Sequence, residues 1–269
     1  MVIEIKDDFN PEKIYLSGQC FRVRKYDDGG YRFLNGERAV YLRKAGKDTF
    51  ALSCGEKEWQ EIWLPYFDLK RDYRSIRQTE RGKDDFADRA MEFGRGIRIL
   101  RQDPWEMLIT FLISQRKNIP AIARSIEQLA AAFGHPITTE YESIQSFPAP
   151  KELARACEEE LRQCGLGYRT PYILDATKRV LGGELDLSKL SSCSDEELLE
   201  QLKTVHGVGV KVADCIALFA YGRLSCAPVD VWIERAIEEE WHGQSLFDIY
   251  GDDAGIIQQY IYYYERNGK

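Results

Sequence analysis

The chain has 269 residues, 44% of them hydrophobic, and a formal net charge of −7. That length suits one large or two modest domains around a sizeable core, and no stretch reaches the roughly 20 apolar residues that a membrane span requires. The acidic balance excludes a uniformly basic nucleic-acid binder but not one with local basic patches, and bases do cluster at 24–32, 74–83, 95–101 and 114–118; taken singly, each cluster is more simply a solvated face.

The first ten residues, MVIEIKDDFN, lack the apolar run of a secretory signal, so the expected location is cytoplasmic, nucleoid-associated in a bacterium. Seven cysteines at no framework spacing read as free thiols. His135, His206 and His242 stand far apart without ligand-like neighbours, and no metal site is expected.

Along the chain, 20–26, 31–35, 38–44 and 49–53 are short runs of β-formers, divided by Asp27-Asp28-Gly29-Gly30, Asn35-Gly36 and Ala45-Gly46. Asn-Gly between such runs marks a hairpin, and an antiparallel sheet of four or five strands follows. From about residue 56 the spacing turns helical, in 56–67 and 84–100. Asp103-Pro104 is a helix start, with the carboxylate as N-cap and proline in the first turn. It opens WEMLITFLISQ, apolar nearly all round and therefore buried. Further helices are predicted at 118–133, 151–163 and 171–181. Ser194 with Glu197 forms a capping box for the next, then come helices after Gly209, near 231–241 and at 254–266. The fold class is α+β: an antiparallel sheet domain over 1–98 and a larger helical bundle over 99–269.

The most informative segment is 202–237. Gly207-Val208-Gly209 joins two helices within a few residues, and such a turn permits positive φ and close approach of another backbone. The following helix offers free N–H groups and its positive end to an anion such as a DNA phosphate; an ordinary helix corner without a ligand would look the same. Lys211 lies at the start of that second helix, where the dipole disfavours a cation and eases loss of the proton that masks the amine as a nucleophile. A plain surface lysine is the competing reading. Asp230, within Pro228-Val229-Asp230-Val231, precedes a helical pattern and can cap it. One carboxylate oxygen can do that while the other faces a reaction.

Together these strings resemble the helix-hairpin-helix DNA glycosylases. The hairpin at Gly207 and Gly209, Lys211-Val212-Ala213-Asp214-Cys215 and Pro228-Val229-Asp230-Val231 carry the likeness. It is closest to the 8-oxoguanine glycosylase branch, and extends to Ser17-Gly18-Gln19-Cys20-Phe21-Arg22, Gly165-Leu166-Gly167-Tyr168-Arg169, and Ala254-Gly255 with Gln258. The resemblance implies a glycosylase with lyase activity acting on duplex DNA that contains 8-oxoguanine, its active site in a cleft between helical subdomains. Lys211 would attack C1′ and form a Schiff base, and Asp230 would stabilise the cationic sugar. The Gly18 carbonyl would accept from N7–H of the lesion, Gln258 would bind the Watson–Crick edge, and Cys215 and Tyr262 would sandwich the flipped ring. Tyr262 stands where the family commonly has phenylalanine. The turn at Arg116, Lys117 and Asn118 would fill the gap left by the base, with Tyr168 as wedge and Arg169 as a reader of the opposite base. Arg116 replaces the usual asparagine, Ala121 a second arginine and Trp232 a common histidine, so selectivity for the opposite base is expected to be weak. The resemblance implies no cofactor and a monomer. The sibling types that carry an iron–sulfur cluster need four cysteines after the catalytic region, and here none follows Cys226. The alkylbase enzymes keep the aspartate but lack the lysine. A non-catalytic hairpin module would explain the turn alone, not the lysine and aspartate together.

Overall fold

The structure is a computed structural model and describes residues 1–268. Strand β1 (Val2–Glu4) is followed by helix α1 (Pro11–Leu16), whose N-cap Asn10 accepts hydrogen bonds from the Glu12 and Lys13 amides. Strands β2 (Arg24–Lys25), β3 (Tyr31–Asn35), β4 (Arg38–Lys44) and β5 (Thr49–Leu52) come next. They form a five-stranded sheet in the order β1-β5-β4-β3-β2. The β3–β4 hairpin closes as Asn35-Gly36 predicts, with Gly36 at φ +59, a conformation that costs glycine nothing. The strand expected over 20–26 shrinks to two residues, because the chain bends at 21–22 and pairs with β3 only at Arg24 and Lys25.

The first helical region, 56–66, is a helix α2 (Glu56–Glu58), a π-helical turn (Trp59–Trp63) and a helix α3 (Leu64–Tyr66). Helices α4 (Tyr73–Glu80) and α5 (Asp85–Gly94) follow, each capped by an aspartate, Asp72 and Asp84. Then come α6 (Pro104–Ser114), α7 (Ile119–Phe133), a small hairpin of β6 (Pro136–Thr138) and β7 (Ser143–Gln145), α8 (Pro150–Leu153), α9 (Glu158–Gln163), α10 (Thr170–Leu181), α11 (Asp195–Lys203), α12 (Val210–Tyr221), α13 (Val231–Trp241), α14 (Leu246–Tyr250) and α15 (Ala254–Asn267). The Asp103 cap and the Ser194–Glu197 capping box form as expected. The helix predicted over 151–163 is broken between Leu153 and Glu158.

Contacts divide the chain into two units, neither continuous in sequence. One comprises residues 1–33, 40–101 and 222–269, the other 34–39 and 102–221. This grouping does not follow a single cut such as that between 98 and 99. The last helix rejoins the first part of the chain because α15 packs on α5 so closely that a Cβ on Gly94 would lie 2.6 Å from the Tyr260 ring.

In the sheet unit, Phe33, Val40, Leu42, Trp63, Phe67 and Leu100 are all at or below 1% exposure. Phe67 is edge-on to Phe9, Phe33 and Tyr66 at 5.0–5.3 Å between ring centroids, the arrangement that aromatic quadrupoles favour. Arg98 is wholly buried and donates to the carbonyls of Asp8, Phe67, Asp68 and Arg71 and to the Asp7 carboxylate. Its basic stretch, 95–101, is thus partly interior: a buried guanidinium is tolerated only when its donors are matched in this way. In the helical unit, α6 is buried along nearly its whole length and packs on α12, where Phe111 stacks on Phe219 at 5.7 Å.

Candidate active site

The helical unit holds the hairpin. Val205 and Val208 are buried and pin the turn between α11 and α12. Gly207 is at φ +88, and a Cβ there would lie 2.5 Å from the Tyr172 ring, so two separate constraints demand glycine. Tyr172 packs edge-on against His206 at 4.6 Å and against Tyr168 at 6.1 Å. The His206 amide donates to Asp175 Oδ2 at 2.8 Å. Gly209 differs: a Cβ there would meet nothing within 4 Å. The space in front of it is open, and no internal contact calls for its being glycine.

Lys211 is the second residue of α12 and is half-buried. Its Nζ lies 5.6 Å from the centroid of the Phe111 ring. Cys215 follows one turn later on the same face and is 3% exposed.

The turn after α6 is held from within. Gln115 Nε2 donates to the carbonyls of Gly207 at 3.1 Å and Leu112 at 3.3 Å. The Gln115 carbonyl in turn accepts from Arg169 Nε at 2.9 Å, from Arg169 Nη2 and from the Tyr168 hydroxyl. Lys117 Nζ donates to Ser125 Oγ and the Gly165 carbonyl, both at 2.6 Å. Burial, helped by the neighbouring Arg169 charge, lowers its pKa below the ordinary lysine value. Of the residues expected to touch DNA here, Lys117 and Arg169 face inward and brace the turn. Arg116 and Asn118 are exposed, as is Tyr168 at 51%. Asn118 caps α7 by accepting from the Ala121 amide. Arg116 sits at φ +51, a left-handed conformation rare for a side chain of this size and a recurrent mark of functional turns.

The sheet unit holds the other candidates. Asp230 caps α13: Oδ1 accepts from the amides of Trp232 and Ile233, both at 3.0 Å. Its Oδ2 makes no hydrogen bond among the described residues. Gln258 is 5% exposed; Nε2 donates to the Pro228 carbonyl at 3.0 Å, and Oε1 has no partner among the described residues. The adjacent Gln259 donates to the Ser17 carbonyl at 2.8 Å. Two consecutive amides of α15 thereby tie down the Gly18 turn and the approach to Asp230. Tyr262, one turn on and half-buried, accepts from Arg266 at 3.2 Å. Trp232 lies under the Arg235 guanidinium at 5.0 Å.

Gln115, Tyr172 and Gln259 were not singled out from the sequence, although each positions a residue that was. A glutamine after a buried helix carries no pattern of its own, and only Gln258-Gln259 beside the small pair Ala254-Gly255 hints at a structural amide. Among the described residues no group of three or more His, Cys, Asp or Glu could hold a metal. Among the same residues no helix is long and apolar enough to cross a membrane.

Residues 1–108 match the 8-oxoguanine DNA glycosylase N-terminal domain, and residues 109–243 match the HhH-GPD superfamily of base excision DNA repair proteins. The structure of MBOgg1 in complex with a low-affinity DNA ligand is similar over 100% of this chain and 96% of that one, at 39% identity and a TM-score of 0.95. The Clostridium acetobutylicum 8-oxoguanine glycosylase/lyase, in complex with duplex DNA bearing cytosine opposite the lesion, is similar over 100% and 98% of the two chains, at 34% identity and a TM-score of 0.91. A probable N-glycosylase/DNA lyase of Methanothermobacter thermautotrophicus is 30% identical over 74% of this chain and 72% of its own length. With both family models matched in succession along the α+β fold, the chain belongs to the HhH-GPD superfamily of base excision DNA repair proteins, in its 8-oxoguanine DNA glycosylase branch.

Proposed function

We infer that the protein is a bifunctional 8-oxoguanine DNA glycosylase and AP lyase of base excision repair. The observation that carries this reading is the setting of Lys211. It is a half-buried amine on the first turn of α12, directly after the Gly207–Gly209 hairpin, in a chain that aligns end to end with glycosylase/lyase structures.

A base inside a duplex is out of reach, so the damaged nucleotide must leave the stack first. Lys211 then attacks C1′ with its neutral amine, and the N-glycosidic bond breaks with its electron pair going to the base. Positive charge develops on the sugar as the base departs. The Oδ2 atom of Asp230, not consumed by the helix cap, offsets that charge. The sugar opens to a Schiff base on Lys211. Loss of a C2′ proton then expels the 3′ phosphate, nicking the strand, and water releases the lysine. No cofactor is needed.

The Gly18 carbonyl and the Gln258 carboxamide recognise the base. The unsatisfied Oε1 of Gln258 supports this role, since a buried amide oxygen without a partner costs free energy until a ligand donates to it. Cys215 and Tyr262 flank the ring. Gly207 and Gly209 admit a DNA phosphate, and Tyr168, Arg116 and Asn118 meet the duplex, with Lys117 and Arg169 behind them. The enzyme acts as a monomer on double-stranded DNA in the cytoplasm, without an iron–sulfur cluster. With Arg116 and Ala121 at the reading positions, its preference for cytosine opposite the lesion is weak.

The test is a duplex carrying one 8-oxoguanine, beside an undamaged control. Release of the base together with a nick on its 3′ side is the expected result. Release without nicking would remove the lyase assignment, and no release would remove the substrate.

A further inference from the structure

Within the sheet unit, a cavity of about 420 Å³ is lined by Leu64, Pro65, Asp68, Lys70, Arg71 and Arg101. None of these residues serves the reaction above. Their arrangement is organised around one carboxylate. Asp68 is 7% exposed and, unusually for a residue other than glycine, sits at φ +49. Its Oδ2 accepts from Arg71 Nε at 2.8 Å and from the Tyr73 hydroxyl at 3.1 Å, and its Oδ1 from Arg101 Nε at 3.2 Å. Each guanidinium is therefore fixed through Nε, the inner corner of the fork. The outer nitrogens of Arg71 and Arg101 have no further hydrogen-bond partner among the described residues. Both side chains remain about one-third exposed, at 35% and 37%.

Gly222 completes the device. It is at φ +65, and a Cβ there would lie 2.8 Å from the Arg101 guanidinium carbon. The glycine leaves room for the fork to lie flat against the backbone. Three cations against one carboxylate leave the lining with a net charge of +2, in a chain whose net charge is −7. Asp253 also lies within electrostatic reach of Arg71.

We propose that this cavity is a binding site for the phosphate monoester of a small organic molecule. Two oriented guanidinium forks with a nearby ammonium match the oxygens and the double charge of a phosphate. The volume falls in the range of small-molecule sites, and Leu64 and Pro65 give an apolar wall for a body attached to the anion.

The experiment is calorimetric titration of the full-length protein with deoxyguanosine monophosphate, deoxyguanosine and inorganic phosphate, each up to about 1 mM, where weak binding still registers. The monophosphate binds wild type, and at least tenfold tighter than the nucleoside or phosphate alone. Lys70→Glu and Arg71→Gln each weaken it at least tenfold, while Lys211→Gln leaves it unchanged and Lys70→Glu retains full excision of 8-oxoguanine. Lys70 is exposed, so its variant reports even where Arg71→Gln fails to fold. Equal binding of phosphate and the monophosphate overturns the organic-body assignment. Loss of duplex affinity in Lys70→Glu reassigns the cavity to the DNA backbone and overturns the small-ligand reading. No binding by wild type, or binding insensitive to Lys70→Glu and Arg71→Gln, overturns the site.

Discussion

Replacing Gly207 with alanine tests how the hairpin is built. At φ +88 an L-residue suffers a backbone penalty of about 1–2 kcal/mol. The new Cβ would also lie 2.5 Å from Tyr172 Cδ2, and overpacking a fitted contact of this kind adds about 1–3 kcal/mol. The expected total is about 2–5 kcal/mol, a large share of the roughly 5–15 kcal/mol that a folded protein has. Urea denaturation read by fluorescence measures it, and duplex affinity should fall in parallel because the turn is displaced. In a Tyr172→Ala background the clash vanishes, so the same substitution should cost only the backbone part, about 1–2 kcal/mol. A double-mutant cycle isolates the difference as a coupling of about 1–3 kcal/mol. Equal costs in the two backgrounds, or a Gly207→Ala protein within about 0.5 kcal/mol of wild type, would refute the reasoning.

Four further outcomes are expected. Asp230→Asn keeps the cap, since asparagine caps as well as aspartate, so stability changes little while excision falls on the order of a hundredfold through loss of the charge opposite the sugar cation; equal loss of stability and activity would make Asp230 a cap and nothing more. Arg116→Gly relieves a left-handed backbone and should stabilise by about 1 kcal/mol, read as a higher Tm, while wild type excises 8-oxoguanine opposite all four bases with less than a hundredfold spread, about 2.7 kcal/mol. The Ser188 hydroxyl and Lys189 hold the Asp186 carboxyl down to about 2. Its contribution to stability is therefore complete above the usual 3.8 and is lost as the pH falls through 2; an NMR titration of Asp186 with a midpoint near 3.8 would deny it.

Much of this architecture was legible wherever the signal is local. Asn35-Gly36, Asp103-Pro104 and the Ser194–Glu197 box each form where short-range chemistry puts them. Elements held by distant partners were not legible. β1 is three residues long and exists through its pairing with β5, Val2 opposite Ala51. The β6–β7 hairpin and the short helix α14 are too brief for a period to emerge. The same division runs through the site. The positions of Lys211 and Asp230 at the starts of α12 and α13 follow from glycine, proline and capping rules. The inward turn of Lys117 and Arg169 does not, because it is set by the carbonyls of Gly165 and Gln115, which lie 48 and 54 residues away in sequence. An arginine or lysine in a motif shows its charge in the sequence, but the acceptors that claim it belong to the fold.

The central claim is that the Lys211 amine becomes covalently joined to the lesion sugar. Borohydride reduction during turnover of an 8-oxoguanine duplex, with the adduct mapped by mass spectrometry, reads this directly. The account predicts a stable protein–DNA adduct on Lys211, absent from Lys211→Gln although that variant still binds the duplex. An adduct on any other residue, or one that persists in Lys211→Gln, would contradict it.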